Sequence, residues 1–285
     1  WNDGLDEIGS EGRGESTWLG FFLCYTLRDF LPIIEKREGS AKRAHYETKR
    51  DALVEALEGT WREDRYLRAI HDDGTEIGIA GSGVWEIDAL TAAWSVMSGI
   101  NPERSRICFD TAVRELERDK VVLLGTPALR EDTKPYLGRS SRYPEGVREN
   151  GMYCHGDQWL VKASRILTEQ CLAEGDKEDA ASYRTIGYRV WSKISPIFHT
   201  TPEEIETYGG QPNKQCADIL TTFDPGRMIW NGYTGASGWV LREVFEGIVG
   251  CNLIDNAVVM PTDLDQPRGD LSIKEVTRDL SNSPF

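Results

Sequence analysis

Apolar positions along the chain recur mostly at helical spacing. From Trp18 they run through Leu19, Phe22, Leu23, Leu27 and Phe30, a stripe too wide for a surface helix, so this segment reads as a mostly buried helix. Glu15-Ser16-Thr17 supplies cap-type residues before it, and Pro32 is expected to bend or end it. Residues 41–58 read as a second helix with a narrow apolar face (Tyr46, Leu53, Val54, Leu57) and a charged back, hence amphipathic and outward. Short alternating segments across Tyr66–Ile79 flank Asp73-Gly74, a hairpin signal. Helical patterns resume over Trp85–Met97 and Pro102–Glu117, then over 157–174 and 178–194. Between them, residues 120–148 have few periodic positions and several Gly and Pro, a long irregular connection of the kind that often carries function. A loop is expected over 200–236, a helix from about Ser237 to Gly250, and short strands and turns over Asn252–Phe285. Paired helices of this kind suit a solenoid, a bundle or an α/α toroid. No repeat of roughly 34 or 40 residues is visible, which weakens the solenoid. In a toroid, the long polar loops at one end converge on a central cleft.

Composition narrows the partners. A net charge of −14 argues against nucleic acid and anionic membranes, because both require basic surface. It also means that an anionic substrate needs a locally positive pocket built against the global field. No run of about 18 apolar residues exists to span a bilayer. Six scattered cysteines (Cys24, Cys108, Cys154, Cys171, Cys216, Cys251) form no Cys-x-x-Cys pair, so buried free thiols in a reducing, cytoplasmic compartment are expected. His45, His71, His155 and His199 are too dispersed for a metal cluster. Nine tryptophans are more than usual, and several have Gly or polar neighbours, a setting that suits sugar rings as well as core filling.

Three stretches can carry chemistry. In Trp1-Asn2-Asp3-Gly4, an Asp beside an indole can be partly desolvated, which raises its pKa as a general acid requires; the same residues also describe a loop Asp accepting backbone hydrogen bonds. Tyr143–Trp159 packs Arg148, Glu149, Asn150, Tyr153, His155 and Gln158 where a helix begins, poor core material but good hydroxyl-recognition material. His155 there can donate to an anion or be a structural residue. In Asn231–Trp239, Thr234 followed by small residues and an apolar helix reads as a helix N-terminus with a candidate cap. Such an end is an anion site needing no Lys or Arg, or simply a capped helix.

Taken together, W-N-D-G before Gly14-Glu15-Ser16-Thr17-Trp18-Leu19-Gly20, then Y-P-x-G-V-R-E-N-G with a following His, then Y-T-G-A-S-G-W, resemble the glycoside phosphorylases of glycoside hydrolase family 94. That group includes cellobiose, chitobiose and cellobionic acid phosphorylases and the phosphorylase-like domain of cyclic β-1,2-glucan synthases. The resemblance runs to about residue 255. It implies an all-α fold: residues 1–251 as the second half of an (α/α)6 barrel, with 252–285 a C-terminal extension of short strands and turns. It implies Asp3 as general acid, Trp1 lining the sugar site, and His155, Thr234 and Gly235 binding phosphate. Glu149 would contact sugar hydroxyls with Tyr153 nearby. Family members also carry an N-terminal β-sandwich and the first half of the barrel, which contribute an Arg and an Asp. The chain is therefore expected to need that half for activity, and the family implies a homodimer.

The implied reaction follows from charge. An inverting hydrolase needs an acid and a base to activate water. Phosphate is already an anionic nucleophile, so an anion pocket replaces the base. Asp3 would protonate the departing oxygen while phosphate attacks the anomeric carbon from the opposite face, turning a β-glucoside into α-glucose 1-phosphate with no metal or organic cofactor. Tyr208–Gln215 departs from the Glu-Pro-Tyr sequence of cellobiose-type members and looks closer to cellobionic acid enzymes, for whose aldonate Arg148 or Lys214 would supply a cation. The expected substrate is thus cellobionic acid or cellobiose. The alternatives are the cyclic β-1,2-glucan synthase domain, an inverting hydrolase using Asp157 or Glu145 as base, and a non-catalytic carbohydrate-binding toroid.

Overall fold

A computed structural model describes residues 4–249, 252–254 and 257–259. After a two-residue strand β1 (Glu15–Ser16), helix α1 spans Thr17–Glu38. Pro32 lies inside α1 without ending it. The carbonyl that loses its partner there belongs to Arg28, on an exposed part of the helix where water can take over. Helix α2 (Ser40–Glu58) packs outward on α1 and fully buries only Leu57, as its narrow face predicts.

Two short hairpins follow. Strands β2 (Trp61–Arg62) and β3 (Arg65–Tyr66) pair with each other, and β4 (Ala69–Ile70) pairs with both β1 and β5 (Glu76–Ile77). The turn at Asp73-Gly74 is the one its sequence predicts; Gly74 adopts φ 87°, which a side chain would resist. Strand β6 (Ile87–Asp88) leads into α3 (Ala89–Ser98), all ten of whose residues are buried. Asp88 caps α3 by accepting the Thr91 N–H at 2.8 Å and also accepts from Arg68 Nε and Trp85 Nε1 at 3.1 and 3.0 Å. That network begins the helix four residues later than Trp85. Helix α4 (Pro102–Leu116) is capped by Asn101 and packs on α3.

The irregular connection contains β7 (Gly125–Thr126), paired with β6, and two 3₁₀ turns. Strand β8 (Met152–Tyr153) runs into α5 (Cys154–Glu174), which packs against α6 (Lys177–Ile194). The loop expected over 200–236 holds more structure than its polar sequence indicates. A short α7 (Pro202–Tyr208) is followed by β9 (Cys216–Ile219) and β10 (Met228–Asn231), which form a sheet of order β10-β9-β8. Helix α8 (Thr234–Glu243) continues as a π-helical turn, Val244–Val249, and β11 (Asn252–Ile254) pairs with β12 (Ala257–Val259).

The result is mostly helical with small antiparallel sheets, so a strictly all-α label fails: β segments lie between the helices as well as in the tail. Helices α1, α3, α5 and α8 contact one another in that order, and α2, α4 and α6 back the first three. Trp18, Trp94, Trp159 and Trp239 meet across this row, mostly edge-on or tilted, with centroids 5.0–6.1 Å apart. Five of the eight described tryptophans are buried, so most of that unusual content fills the core. No helix among the described residues is long and apolar enough to cross a membrane.

Candidate active site

The β10-β9-β8 sheet sets two helix starts beside each other. Strand β8 feeds α5 and β10 feeds α8, with β9 antiparallel between them. Neither helix has a side-chain cap on its first turn. Their leading N–H groups and positive dipole ends therefore form a locally positive corner in an acidic chain. His155 is the second residue of α5 and Gly235 the second of α8. A methyl group on Gly235 would lie 2.8 Å from His155 Cε1 and 2.9 Å from Nδ1, so only glycine lets the imidazole approach α8 this closely. Trp159 meets the ring edge-on at 5.3 Å. Burial lowers the His155 pKa to about 4, so near neutrality it is an uncharged imidazole carrying one N–H.

Thr234 opens α8 and is exposed, but it is not the cap. Tyr233 holds that position, and the helix begins three residues before Ser237. Ala236 is fully buried and Ser237 Oγ bonds back to the Tyr233 carbonyl at 2.8 Å, so these small residues extend the helix toward His155.

A second cluster adjoins this corner. The Tyr153 and Tyr233 hydroxyls meet at 3.2 Å, and the Arg148 guanidinium lies 5.9 Å from the Tyr153 ring and 4.9 Å from Tyr143. Arg148 has φ 53°, a left-handed backbone that a bulky residue adopts only when its surroundings hold it. The hold is Asp218 on β9, whose Oδ2 accepts the Arg148 N–H at 3.2 Å. Glu149 is 3% exposed, lies 3.6 Å from the Arg148 guanidinium, and has one oxygen with no partner among the described residues. Ser140 Oγ and Asp218 Oδ1 are likewise buried and unpartnered there. Unpartnered buried acceptors beside a guanidinium are what sugar hydroxyls, each a donor and an acceptor, can satisfy.

Gly4 lies directly on this cluster. Its carbonyl accepts the Ser140 N–H at 2.8 Å, and a methyl group on it would collide with Ser140 Oγ and come within 3.5 Å of the Glu149 carboxylate. Trp1 and Asp3, the expected sugar wall and general acid, lie outside the described residues. Asn150 ties the irregular connection to the same place: it accepts from the Leu129 N–H at 2.8 Å and donates to the Leu129, Ser140 and Tyr143 carbonyls at 2.9–3.1 Å.

The expected residues therefore divide. The structure brings together His155 and Gly235, with Thr234 at the helix start, and Arg148, Glu149 and Tyr153 beside them. Lys214 does not join: it is exposed in the turn before β9 and makes no side-chain hydrogen bond or ion pair among the described residues. Ser140 and Asp218 were missed. The signal for Asp218 was available, a lone carboxylate in the otherwise apolar run Cys216-Ala217-Asp218-Ile219. Burial pushes its pKa up to about 7. Of the two carboxylates considered as hydrolytic bases, Asp157 is wholly buried and raised well above the usual carboxylate range, and Glu145 is exposed.

Comparison with known proteins bears on this arrangement. The model of the glycosyl hydrolase 94 superfamily catalytic domain matches residues 1–250. The chain is 37% identical over 257 residues to the cyclic beta-(1,2)-glucan synthase NdvB of Rhizobium meliloti, covering 88% of this chain and 8% of that protein. It is 27% identical over 258 residues to solabiose phosphorylase of Paenibacillus borealis, with 88% and 31% covered. It is 23% identical over 268 residues to cellobionic acid phosphorylase of Neurospora crassa, again with 88% and 31% covered. The chain thus spans less than a third of the length of each of these relatives.

Proposed function

The chain belongs to the glycosyl hydrolase 94 superfamily as its catalytic domain, and on that premise we propose that it is the acid-bearing part of an inverting phosphorylase acting on a β-linked glucan, of the kind built into cyclic β-1,2-glucan synthases. The observation that carries this reading is the convergence of two uncapped helix starts on one corner, with the His155 ring against Gly235. An anion site of that construction serves phosphate and has no purpose in a water-using enzyme. The condition of Asp157 points the same way, since a wholly enclosed carboxyl does not face a water to activate. In this reading Asp3 protonates the leaving oxygen, Glu149 and Arg148 hold sugar hydroxyls, and phosphate at His155, Thr234 and Gly235 attacks the opposite face.

The row α1, α3, α5, α8 with its outer helices supports half of an (α/α)6 barrel. Leu19, Leu23, Phe30 and Ile33 on α1, Leu241 on α8 and Phe245 in the π-helical turn after it are 45–57% exposed, leaving apolar surface at both ends of the row for further helices to cover. A glucan substrate is preferred over cellobionic acid because the glucan synthase shares more identity with this chain; of the two cations named for an aldonate, Lys214 stands apart and Arg148 alone lies in the cluster. The test is substrate preference in the full polypeptide: β-1,2-linked gluco-oligosaccharides, cellobiose and cellobionic acid are each incubated with phosphate. Glucose 1-phosphate is expected from the β-1,2 series at the highest kcat/KM. A higher value for cellobionic acid would reverse the substrate choice.

A further inference from the structure

We propose that Trp230 and Arg148 form an outer sugar subsite that makes this domain a reader of glucan chains longer than a disaccharide, an inference that rests on the phosphorylase reading above. Trp230 is 61% exposed, while five of the other described tryptophans are buried. Its backbone is left-handed at φ 58°, as is that of Arg148 at φ 53°. Two bulky residues in strained conformations therefore face each other, with the Arg148 guanidinium 5.9 Å from the Trp230 ring. Strain of this kind persists where the surrounding structure holds it for a purpose.

Position gives the purpose. From Gly4, the neighbour of Asp3, the contacts run outward to Glu149, then 3.6 Å to Arg148, then to Trp230. Side-chain exposure rises along the same path, from 4% at Glu149 to 24% at Arg148, ending at the open indole. This is the profile of a groove wall leading from an enclosed centre to solvent. An indole face stacks on the apolar face of a glucose ring, and a guanidinium whose Nε has no partner among the described residues can donate to that ring's hydroxyls. A disaccharide held at Glu149 and Arg148 would leave the Trp230 indole uncovered, whereas a third or fourth unit would stack on it. The aromatic and cationic pair suits a neutral, hydroxyl-rich ring better than an apolar protein surface, which would not satisfy the guanidinium.

The experiment compares the full polypeptide with Trp230→Ala and Trp230→Phe. Binding of β-1,2-linked gluco-disaccharide and gluco-tetrasaccharide is measured by calorimetry without phosphate, and kcat/KM for each is measured with phosphate. The tetrasaccharide-to-disaccharide ratio is expected to fall about tenfold in Trp230→Ala in both measurements and to recover largely in Trp230→Phe. An unchanged ratio, or losses equal for both sugars, would overturn the subsite. If no sugar of either length gives phosphate-dependent product, the phosphorylase reading fails, and the calorimetric ratio alone still decides whether Trp230 holds a distal sugar.

Discussion

Replacing Gly235 with alanine tests the anion corner through a single methyl group. That methyl would sit 2.8 Å from His155 Cε1, 2.9 Å from Nδ1 and 3.8 Å from Nε2. Carbon atoms in contact settle at about 3.5–4.0 Å, so the imidazole and the start of α8 must separate by roughly 0.7–1.2 Å. The ring cannot simply turn away, because Trp159 meets it on another side. Displacements near 1 Å in a reacting assembly cost on the order of 100-fold, so a 10- to 100-fold fall in kcat/KM for phosphate is expected, or about 1.4–2.7 kcal/mol. Stability should fall as well, since overpacking of this kind costs about 1–3 kcal/mol and the helix preference for alanine returns at most about 1 kcal/mol. Gly238 supplies the control: it lies on the same helix with nothing within 4 Å of an added methyl, so Gly238→Ala should leave phosphate kinetics alone. The assay is initial rate against phosphate at saturating glucan, paired with thermal unfolding. A Gly235→Ala enzyme with phosphate kinetics within twofold of the parent and an unchanged Tm would refute the argument.

Two further outcomes follow from buried charge. Asp88→Ala removes the α3 cap and leaves the Arg68 guanidinium, 1% exposed, without its carboxylate, so a loss of roughly 3–5 kcal/mol is expected in urea unfolding. Asp218→Asn keeps an acceptor for the Arg148 N–H but cannot ionise. Because the folded pKa of about 7 lies above that of the unfolded chain, the native state retains a proton that the unfolded chain releases between about pH 4 and 7. Stability of the parent therefore falls as pH rises through that window, by up to roughly 4 kcal/mol from this group. Asp218→Asn should gain on the parent at pH 8 relative to pH 5 in urea unfolding, and an equal difference at both pH values would contradict it.

Legibility in the sequence varied with the range of the forces involved. Helices α2, α4 and α6 were readable because each alternates one buried and one solvated face, and that alternation is local. Helix α3 was misplaced at its start because Asp88 is held by Arg68 and Trp85 as well as by its own helix, partners that spacing cannot reveal. Strands β9 and β10 lie hidden within a stretch of Gly, Pro and polar residues, since β9 is held by pairing with β8 some sixty residues away and β10 by pairing with β9. The site shows the same division. His155, Glu149 and Thr234-Gly235 stood in recognisable clusters, whereas Asp218 reaches Arg148 only through that long-range sheet. Lys214 carries the charge an aldonate needs but is a solvated turn residue.

The central claim is phosphorolysis with inversion, and phosphorus NMR of the full polypeptide tests it most directly. A β-1,2-linked gluco-oligosaccharide is incubated with phosphate, alongside an Asp3→Asn control and a sample without phosphate. The account predicts a growing α-glucose 1-phosphate signal that requires phosphate and disappears in the control. Release of free glucose without phosphate, or β-glucose 1-phosphate as the product, would contradict it.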